Sequence, residues 1–161
     1  MGAIGQGVAR VAASFGCRVV YCSTSGNNTH QPYPCLSLQD LLVESDIISI
    51  HAPLNENTRN LIGENEFSLI KHRAVLLNLG RGGIIDEEAL SDALLRHNIF
   101  VGLDVLETEP MTYTNPMVKW LNDDRVLIFP HIGWSSIESR KRLIDGIVHN
   151  IQLYLSDINN G

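Results

Sequence analysis

Three short stretches of this 161-residue chain carry side chains that could together do acid–base chemistry on a carbonyl group. The first places Arg81 between glycines, the second holds Asp104, Glu107 and Glu109, and the third holds His131. Arginine can grip a carboxylate through two parallel hydrogen bonds, and histidine exchanges a proton near neutral pH. Each residue alone has an ordinary reading as a surface or structural side chain, so what matters is whether the fold brings them together.

All three stretches directly follow short apolar runs that are typical of buried strands. The set of runs is 19–22, 47–50, 75–78, 100–103 and 126–129. Runs without polar alternation favour strands covered on both faces of a parallel sheet. Helical patterns separate them, which predicts an α/β fold with a doubly wound parallel sheet. Such sheets bind ligands at the carboxyl ends of their strands, so we expect the cation, the carboxylates and the imidazole to converge there.

The helical segments have recognisable ends. Ser37 and Asp86 are placed to cap helices, and Ser135 with Glu138 forms a capping-box pair. The expected helices are 4–15 followed by Gly16, 38–43, 64–70, 87–96, and a last one with an apolar stripe from Leu143 to Leu155. Residues 23–34 and 107–116 are expected to form loops.

The opening residues resemble the end of a phosphate-binding motif. Gly2 and Gly5 stand as the second and third glycines of G-x-G-x-x-G, which would place a pyrophosphate on the N-terminus of the first helix. The first glycine and the strand before it are absent from the chain. We therefore expect a Rossmann-type sheet that lacks its first strand. Since that strand would be paired on both sides, its loss would remove many ladder hydrogen bonds, and we expect the chain to be a fragment of a longer gene product.

Composition excludes several classes of protein. The chain has 12 Lys and Arg against 18 Asp and Glu, and this net charge of −6 argues against nucleic-acid binding. No apolar run is long enough to span a membrane. Cys17, Cys22 and Cys35 cannot all pair and lack the spacing of a zinc site, so we expect no metal and a cytoplasmic location.

Seven short motifs follow one another along the chain. They are Gly2-Ala3-Ile4-Gly5, His51-Ala52-Pro53-Leu54, Asn57-Thr58-Arg59, Arg81-Gly82-Gly83, Asp104-Val105, Glu109-Pro110 and Pro130-His131-Ile132-Gly133. In this order and spacing they closely resemble the nucleotide-binding domain of the D-isomer-specific 2-hydroxyacid dehydrogenases, and the resemblance covers essentially the whole chain. Trp134-Ser135-Ser136, with Glu138, Arg140 and Arg142, looks most like the glycerate dehydrogenase/hydroxypyruvate reductase branch.

The resemblance implies catalytic roles for three residues. Arg81 would hold the carboxylate and carbonyl oxygen of the substrate. His131 would donate a proton to that oxygen as hydride arrives, or remove it from the alcohol in the oxidative direction. Glu109 would orient the imidazole and favour its charged form. Glu107, two residues away, is the rival for that role, but Glu109 before Pro110 matches the family position.

The resemblance also implies a cofactor site for NAD. Asp104 would face the nicotinamide end, Ala52 and Pro53 would line the adenine side, and Thr58 would contact the diphosphate region. Where NAD-binding members usually carry an acidic residue, this chain has Ser23, so NADP stays open. The full set expected to bind cofactor is Gly2, Ala3, Ile4, Gly5, Ser23, Ala52, Pro53, Thr58, Leu79, Gly80, Asp104 and Gly133.

The family's organisation sets further expectations. Residues 1–161 would form the dinucleotide-binding domain, with the substrate domain absent and residues 150–161 leading back to it. The chain alone would then show little or no turnover of small 2-keto or 2-hydroxy acids. A homodimer is expected, with Val118, Trp120 and Leu121 as candidate interface residues, although at least some of them are expected to pack in the core instead. The function that the resemblance implies is hydride transfer between NAD(P)H and a small 2-keto acid or D-2-hydroxy acid, such as hydroxypyruvate or glycerate. The alternative function is a non-catalytic, corepressor-like NAD(H)-binding module on the same fold.

Overall fold

Four parallel strands form the sheet on which the candidate site is built. In the computed structural model, which describes residues 1–159, they lie side by side in the order β1-β2-β3-β4. Ile48 pairs with Leu76, Leu76 with Val101, and Val101 with Val126, so the carboxyl ends of all four strands share one edge. The strands are β1 (Ile47–Ile50), β2 (Val75–Asn78), β3 (Phe100–Leu103) and β4 (Val126–Ile128).

In the part of the chain that the structure describes, five α-helices accompany the strands. Every element from the first helix to β4 belongs to one compact unit, Met1–Pro130, and the last helix belongs to a second unit that begins at His131. The helices are α1 (Ala3–Ser14), α2 (Leu38–Glu44), α3 (Glu64–Phe67), α4 (Glu87–Arg96) and α5 (Ile137–Asn159), with a 3₁₀ turn at Val118–Trp120. No helix within residues 1–159 is long and apolar enough to cross a membrane.

The strands bury one face more completely than the other. Leu76 and Val101 lie in the core, whereas Ile47 and Leu127 on the outer strands are mostly exposed. The expectation of burial on both faces is therefore wrong for this chain. The Leu77 side chain fills the space beside Gly102, because a Cβ at Gly102 would lie 2.8 Å from Cδ2 of Leu77.

The strand expected at residues 19–22 does not join the sheet. Its only pairing is an isolated parallel bridge between Tyr21 and Cys35, with hydrogen bonds from Tyr21 N to Pro34 O at 3.0 Å and from Leu36 N to Tyr21 O at 2.8 Å. A strand needs a neighbour to supply its ladder bonds. Within residues 1–159, this segment meets only Pro34–Leu36 as such a neighbour.

Most of the predicted helix ends are confirmed. The Ser37 hydroxyl accepts a hydrogen bond from Asp40 N, and Asp86 caps α4 through Ala89 N at 3.0 Å. Gly16 follows α1 with φ of +83°. The capping box at Ser135 is wrong: Ser136 Oγ accepts from Ser139 N at 3.1 Å, one residue later.

Two further expectations about these elements need correction. The helix expected at 64–70 is short, because α3 ends at Phe67 and turns follow. Trp120, expected as a candidate interface residue, is buried with its indole N–H donating to Ser91 Oγ at 3.0 Å. Leu121 is exposed and Val118 half-buried, so only these two remain available for an interface.

Arg125 joins the end of α4 to the turn before β4. Its guanidinium contacts both carboxylate oxygens of Asp123, at 2.9 and 2.7 Å, and donates to the carbonyls of Leu94 and His97. It also lies over the Trp120 ring, 5.4 Å from the centroid. The hydrogen bonds from Arg125 lower the pKa of Asp123 to about 2.

We expect Asp123→Asn to remove an acid-dependent part of the stability. The native pKa of Asp123, about 2, is below the value of roughly 3.9 in an unfolded chain. The Asp123 contribution is therefore complete above about pH 5 and is lost as the pH falls through about 2. Urea unfolding should show a wild-type advantage over the variant that is largest at neutral pH and shrinks across that window. An advantage unchanged down to pH 2 would contradict the ion pair as its source.

Candidate active site

Asn78 organises the turn that carries Arg81. It is the last residue of β2, and its side chain is 1% exposed. Its Oδ1 accepts from Gly80 N at 3.1 Å, and its Nδ2 donates to Arg81 O at 2.9 Å. The backbone on both sides of Leu79 and Gly80 is thereby fixed, while Arg81 itself is exposed at the edge of the sheet. Sequence reasoning gave Asn78 no role, although an Asn side chain often bonds to the backbone two residues further on, as Asn78 does to Gly80 N.

Gly82 brings the Arg81 turn against the loop that follows β3. A Cβ at position 82 would lie 1.9 Å from Leu106 O and 2.6 Å from Glu107 N, so only glycine fits there. The peptide group between Leu106 and Glu107 therefore packs directly on the Gly82 backbone. Residues 104–110 form the acidic loop. Its contact with Gly82 places Arg81 next to the loop that carries Asp104, Glu107 and Glu109.

The two rival glutamates of the acidic loop have different partners. Glu107 Oε1 pairs with Arg59 at 2.8 Å, and both side chains are about half exposed. Glu109 Oε1 instead accepts a hydrogen bond from Leu106 N at 2.9 Å. The charge of Glu107 is thus met by a surface cation, whereas the Glu109 carboxylate is oriented by the loop backbone.

Asp104 lies where β3 ends and the acidic loop begins. Its backbone N–H donates to Asn78 O at 2.9 Å, which continues the pairing of β3 with β2 for one more residue. The residue is only 6% exposed. Asp104 and Asn78 thus stand side by side at the carboxyl edge of the sheet, as the sequence predicted for Asp104.

His131 is the first residue of the second unit and has an uncommon backbone conformation. Its φ is +53°, a region that costs most L-residues of the order of 1–3 kcal/mol. The Trp134 indole N–H donates to His131 O at 2.9 Å, and Ser135 N and Oγ both donate to Ile132 O. These bonds form a tight turn that contains Gly133. Backbone strain of this kind is most often found at functional positions.

The N-terminus of α1 has the features of a phosphate cradle. Its first helical hydrogen bond runs from Gln6 N to Gly2 O at 3.0 Å, so the N–H groups of Ala3, Ile4 and Gly5 have no acceptor within the helix. A Cβ at Gly2 would meet nothing within 4 Å, which leaves the approach to these groups open. Gly2 supplies no capping side chain. This arrangement suits a pyrophosphate.

Gly5 and His51 mark where α1 meets β1. A Cβ at Gly5 would lie 3.6 Å from His51 Cβ, an ordinary contact, so packing does not require a glycine at this position. His51 Nε2 lies 2.9 Å from Ser49 Oγ. Burial lowers the pKa of His51, which favours a neutral imidazole beside the phosphate cradle at neutral pH.

Thr58 stabilises the loop that follows Ala52. Its side chain is fully buried, and its hydroxyl donates to Pro53 O at 2.6 Å and accepts from Asn55 N at 2.8 Å. The expected contact of Thr58 with a diphosphate stays a prediction. Pro53 is exposed, and Ala52 O would lie 3.4 Å from a Cβ on Gly80, so this loop lies beside the Arg81 turn.

Ser23 begins a polar turn. Its carbonyl accepts from Gly26 N at 3.3 Å, and its hydroxyl accepts from Asn28 N at 3.4 Å. Arg18, the nearest arginine along the chain, forms an ion pair with Glu44. In the part of the chain that the structure describes, no group of three or more His, Cys, Asp or Glu residues could hold a metal ion.

We expect Gly82→Ala to disrupt the contact between the Arg81 turn and the acidic loop. The added methyl would overlap Leu106 O, and relief of that overlap should cost about 1–3 kcal/mol in the free energy of unfolding. Gly7→Ala is the control, because a Cβ in that part of α1 meets nothing closer than 4.0 Å. Urea unfolding of both variants measures the difference. Equal stability of Gly82→Ala and the wild type would contradict the close packing.

The chain is similar to several known reductases and dehydrogenases. The chain is 42% identical over 147 residues to a glyoxylate reductase of Aeropyrum pernix, covering 89% of this chain and 43% of that protein. It is 38% identical over 151 residues to a hydroxypyruvate reductase of Thermotoga maritima, covering 93% and 49%. Its fold matches the crystal structure of D-lactate dehydrogenase from Aquifex aeolicus complexed with NAD and lactic acid, with a TM-score of 0.84 and 30% identity, covering 97% and 51%.

The chain thus spans about half the length of the relatives it matches. Residues 1–133 match the family model described as the NAD binding domain of the D-isomer specific 2-hydroxyacid dehydrogenases. This match runs from the phosphate cradle at Gly2 to the His131 turn. The chain belongs to the D-isomer specific 2-hydroxyacid dehydrogenase family, as its NAD-binding domain.

Proposed function

We propose that this chain is the cofactor-binding part of an NAD(P)H-dependent reductase that converts a small 2-keto acid, such as hydroxypyruvate or glyoxylate, into the D-2-hydroxy acid. The observation that carries the proposal is the close contact of Gly82 with the Leu106–Glu107 peptide. It places an exposed arginine beside a loop with an oriented carboxylate. A substrate domain outside these residues, a homodimer and a cytoplasmic location belong to the same proposal.

Arg81 and His131 would act on the substrate itself. The Arg81 guanidinium would bind the substrate carboxylate and polarise the carbonyl oxygen. His131 would donate a proton to that oxygen during reduction and accept it during oxidation. Glu109, held by Leu106 N, would orient the imidazole and favour its protonated form.

The residues of α1 fit a dinucleotide. The N–H groups of Ala3, Ile4 and Gly5 would bind its pyrophosphate, with Gly2 leaving the approach open. Asp104, Leu79 and Gly80 would lie toward the reacting end of the cofactor, as would Gly133 in the His131 turn. When bound, the cofactor supplies the hydride.

Ser23 and Arg18 favour NAD over NADP. A 2′-phosphate needs a cation to neutralise it, and Arg18 is already paired with Glu44. The Ser23 hydroxyl and its neighbouring amides suit an uncharged ribose.

The first test is activity with Arg81 and His131 variants of the complete protein, which includes the proposed substrate domain. Loss of a general acid costs about 10²–10⁴ in rate, so His131→Gln should lower kcat by that factor for hydroxypyruvate and NADH. Arg81→Gln should lower kcat/KM by about tenfold to a hundredfold, since charged hydrogen bonds contribute about 1.5–3 kcal/mol. Both variants should keep the wild-type Kd for NADH.

His72→Gln is the matched control, because His72 is an exposed histidine outside the site. NADH binding without turnover of any 2-keto acid would favour the corepressor-like binding module instead. Absence of NADH binding would overturn both functions.

The second test concerns cofactor choice at Ser23. We expect Ser23→Asp to weaken NADPH binding by at least tenfold relative to NADH, because the new carboxylate would repel a 2′-phosphate. Fluorescence titration with each cofactor measures the two dissociation constants. Ser25→Asp, in the same turn, is the control for added charge. An unchanged ratio at Ser23→Asp would show that this turn does not contact the ribose.

A further inference from the structure

Glu87 is a buried carboxylate that the roles described above do not use. It lies in the first turn of α4 and is 8% exposed. Its Oε1 accepts from Glu107 N at 2.6 Å, and its Oε2 accepts from Asn115 Nδ2 at 2.7 Å. These two bonds tie both ends of the segment 107–115, which contains Glu109, to the same helix.

The hydrogen-bond pattern requires a carboxylate at position 87. Asn115 Oδ1 accepts from Met117 N at 2.8 Å, which orients the amide so that Nδ2 faces Glu87. Glu87 therefore meets two N–H donors and must accept from both. A glutamine has one acceptor and one donor at its end, so it can satisfy only one of them.

The bond from Glu107 N connects Glu87 to the orientation of Glu109. Glu107 N belongs to the same peptide group whose carbonyl packs on Gly82. That peptide is thus held by Glu87 at its N–H and by the Gly82 backbone at its carbonyl. The adjoining peptide supplies Leu106 N, the donor to Glu109 Oε1.

We propose that Glu87 is a positioning residue for Glu109, acting through the Leu106–Glu107 peptide and Asn115. The functional consequence rests on the proposed function, in which Glu109 orients His131. Glu87 itself touches neither substrate nor cofactor in that scheme. Its part is to hold the acidic loop in the conformation in which Leu106 N binds the Glu109 carboxylate.

Amide hydrogen exchange at Leu106 and Glu107 tests the positioning directly. In Glu87→Gln we expect exchange of both amides to accelerate by about tenfold or more, since a charged hydrogen bond is lost or rearranged. The double variant Glu87→Gln/Asn115→Asp should restore protection. Its glutamine can accept from Glu107 N and donate to the new carboxylate at position 115, whose other oxygen can still accept from Met117 N.

Two matched variants separate positioning from loss of charge and from general destabilisation. Glu88→Gln removes the same charge from an exposed neighbour in the same helical turn. Ser91→Ala removes the α4 bonds to Pro116 O and Trp120 Nε1, which lie outside the acidic loop. Both should keep wild-type exchange at Leu106 relative to their own global stability. Acceleration in either equal to that in Glu87→Gln would overturn the proposal.

A kinetic measurement on the complete protein, which includes the proposed substrate domain, then tests the consequence for Glu109. With hydroxypyruvate and NADH, Glu87→Gln should lower kcat and shift the alkaline limb of the pH profile to lower pH, while the Kd for NADH stays unchanged. The double variant should recover both. If NADH does not bind the wild type, the proposed function fails, and the exchange data still decide the role of Glu87. Wild-type Leu106 exchange in Glu87→Gln overturns that role whatever the activity.

Discussion

The position of the Arg81 turn against the acidic loop depends on one steric contact, between Gly82 and the peptide that joins Leu106 to Glu107. A side chain at position 82 would overlap that peptide at 1.9 Å, well inside any van der Waals separation. The turn after β2 can therefore lie directly against the loop after β3. Because packed interiors give way very little, this contact fixes the separation of Arg81 from the acidic loop.

Hydrogen bonds to the backbone, more than surface ion pairs, define the shape of the acidic loop. The Arg59–Glu107 pair is half exposed, and pairs of that kind contribute about 0–1 kcal/mol. The bonds from Leu106 N to Glu109 and from Glu107 N to Glu87 are short, charge-assisted and directional. The Leu106 bond distinguishes the Glu109 carboxylate from that of Glu107, which pairs with Arg59 instead.

Different interactions stabilise the three chemical stretches and the N-terminus of α1. Asn78 fixes the Arg81 turn through two side-chain bonds. Side-chain and packing contacts shape the acidic loop. At His131 the strain is in the backbone itself, and Trp134 stabilises it through the carbonyl. At α1 the N–H groups of the first turn are accessible, because Gly2 supplies no capping side chain.

The sequence by itself determined the elements whose signals are local. Apolar runs predicted β1, β2 and β3, and the caps at Ser37 and Asp86 were recognisable because a cap bonds within its own helical turn. The positions of Arg81, Asp104 and Glu109 after strands followed from the same patterns. Their catalytic roles stay predictions. Only the tertiary structure decided what depends on distant partners: within the described residues the segment 19–22 pairs only through the isolated Tyr21–Cys35 bridge, and Glu87 reaches Glu107, twenty residues away. Pairing over such separations leaves no periodic signal, because it depends on how the chain packs rather than on which residues are adjacent.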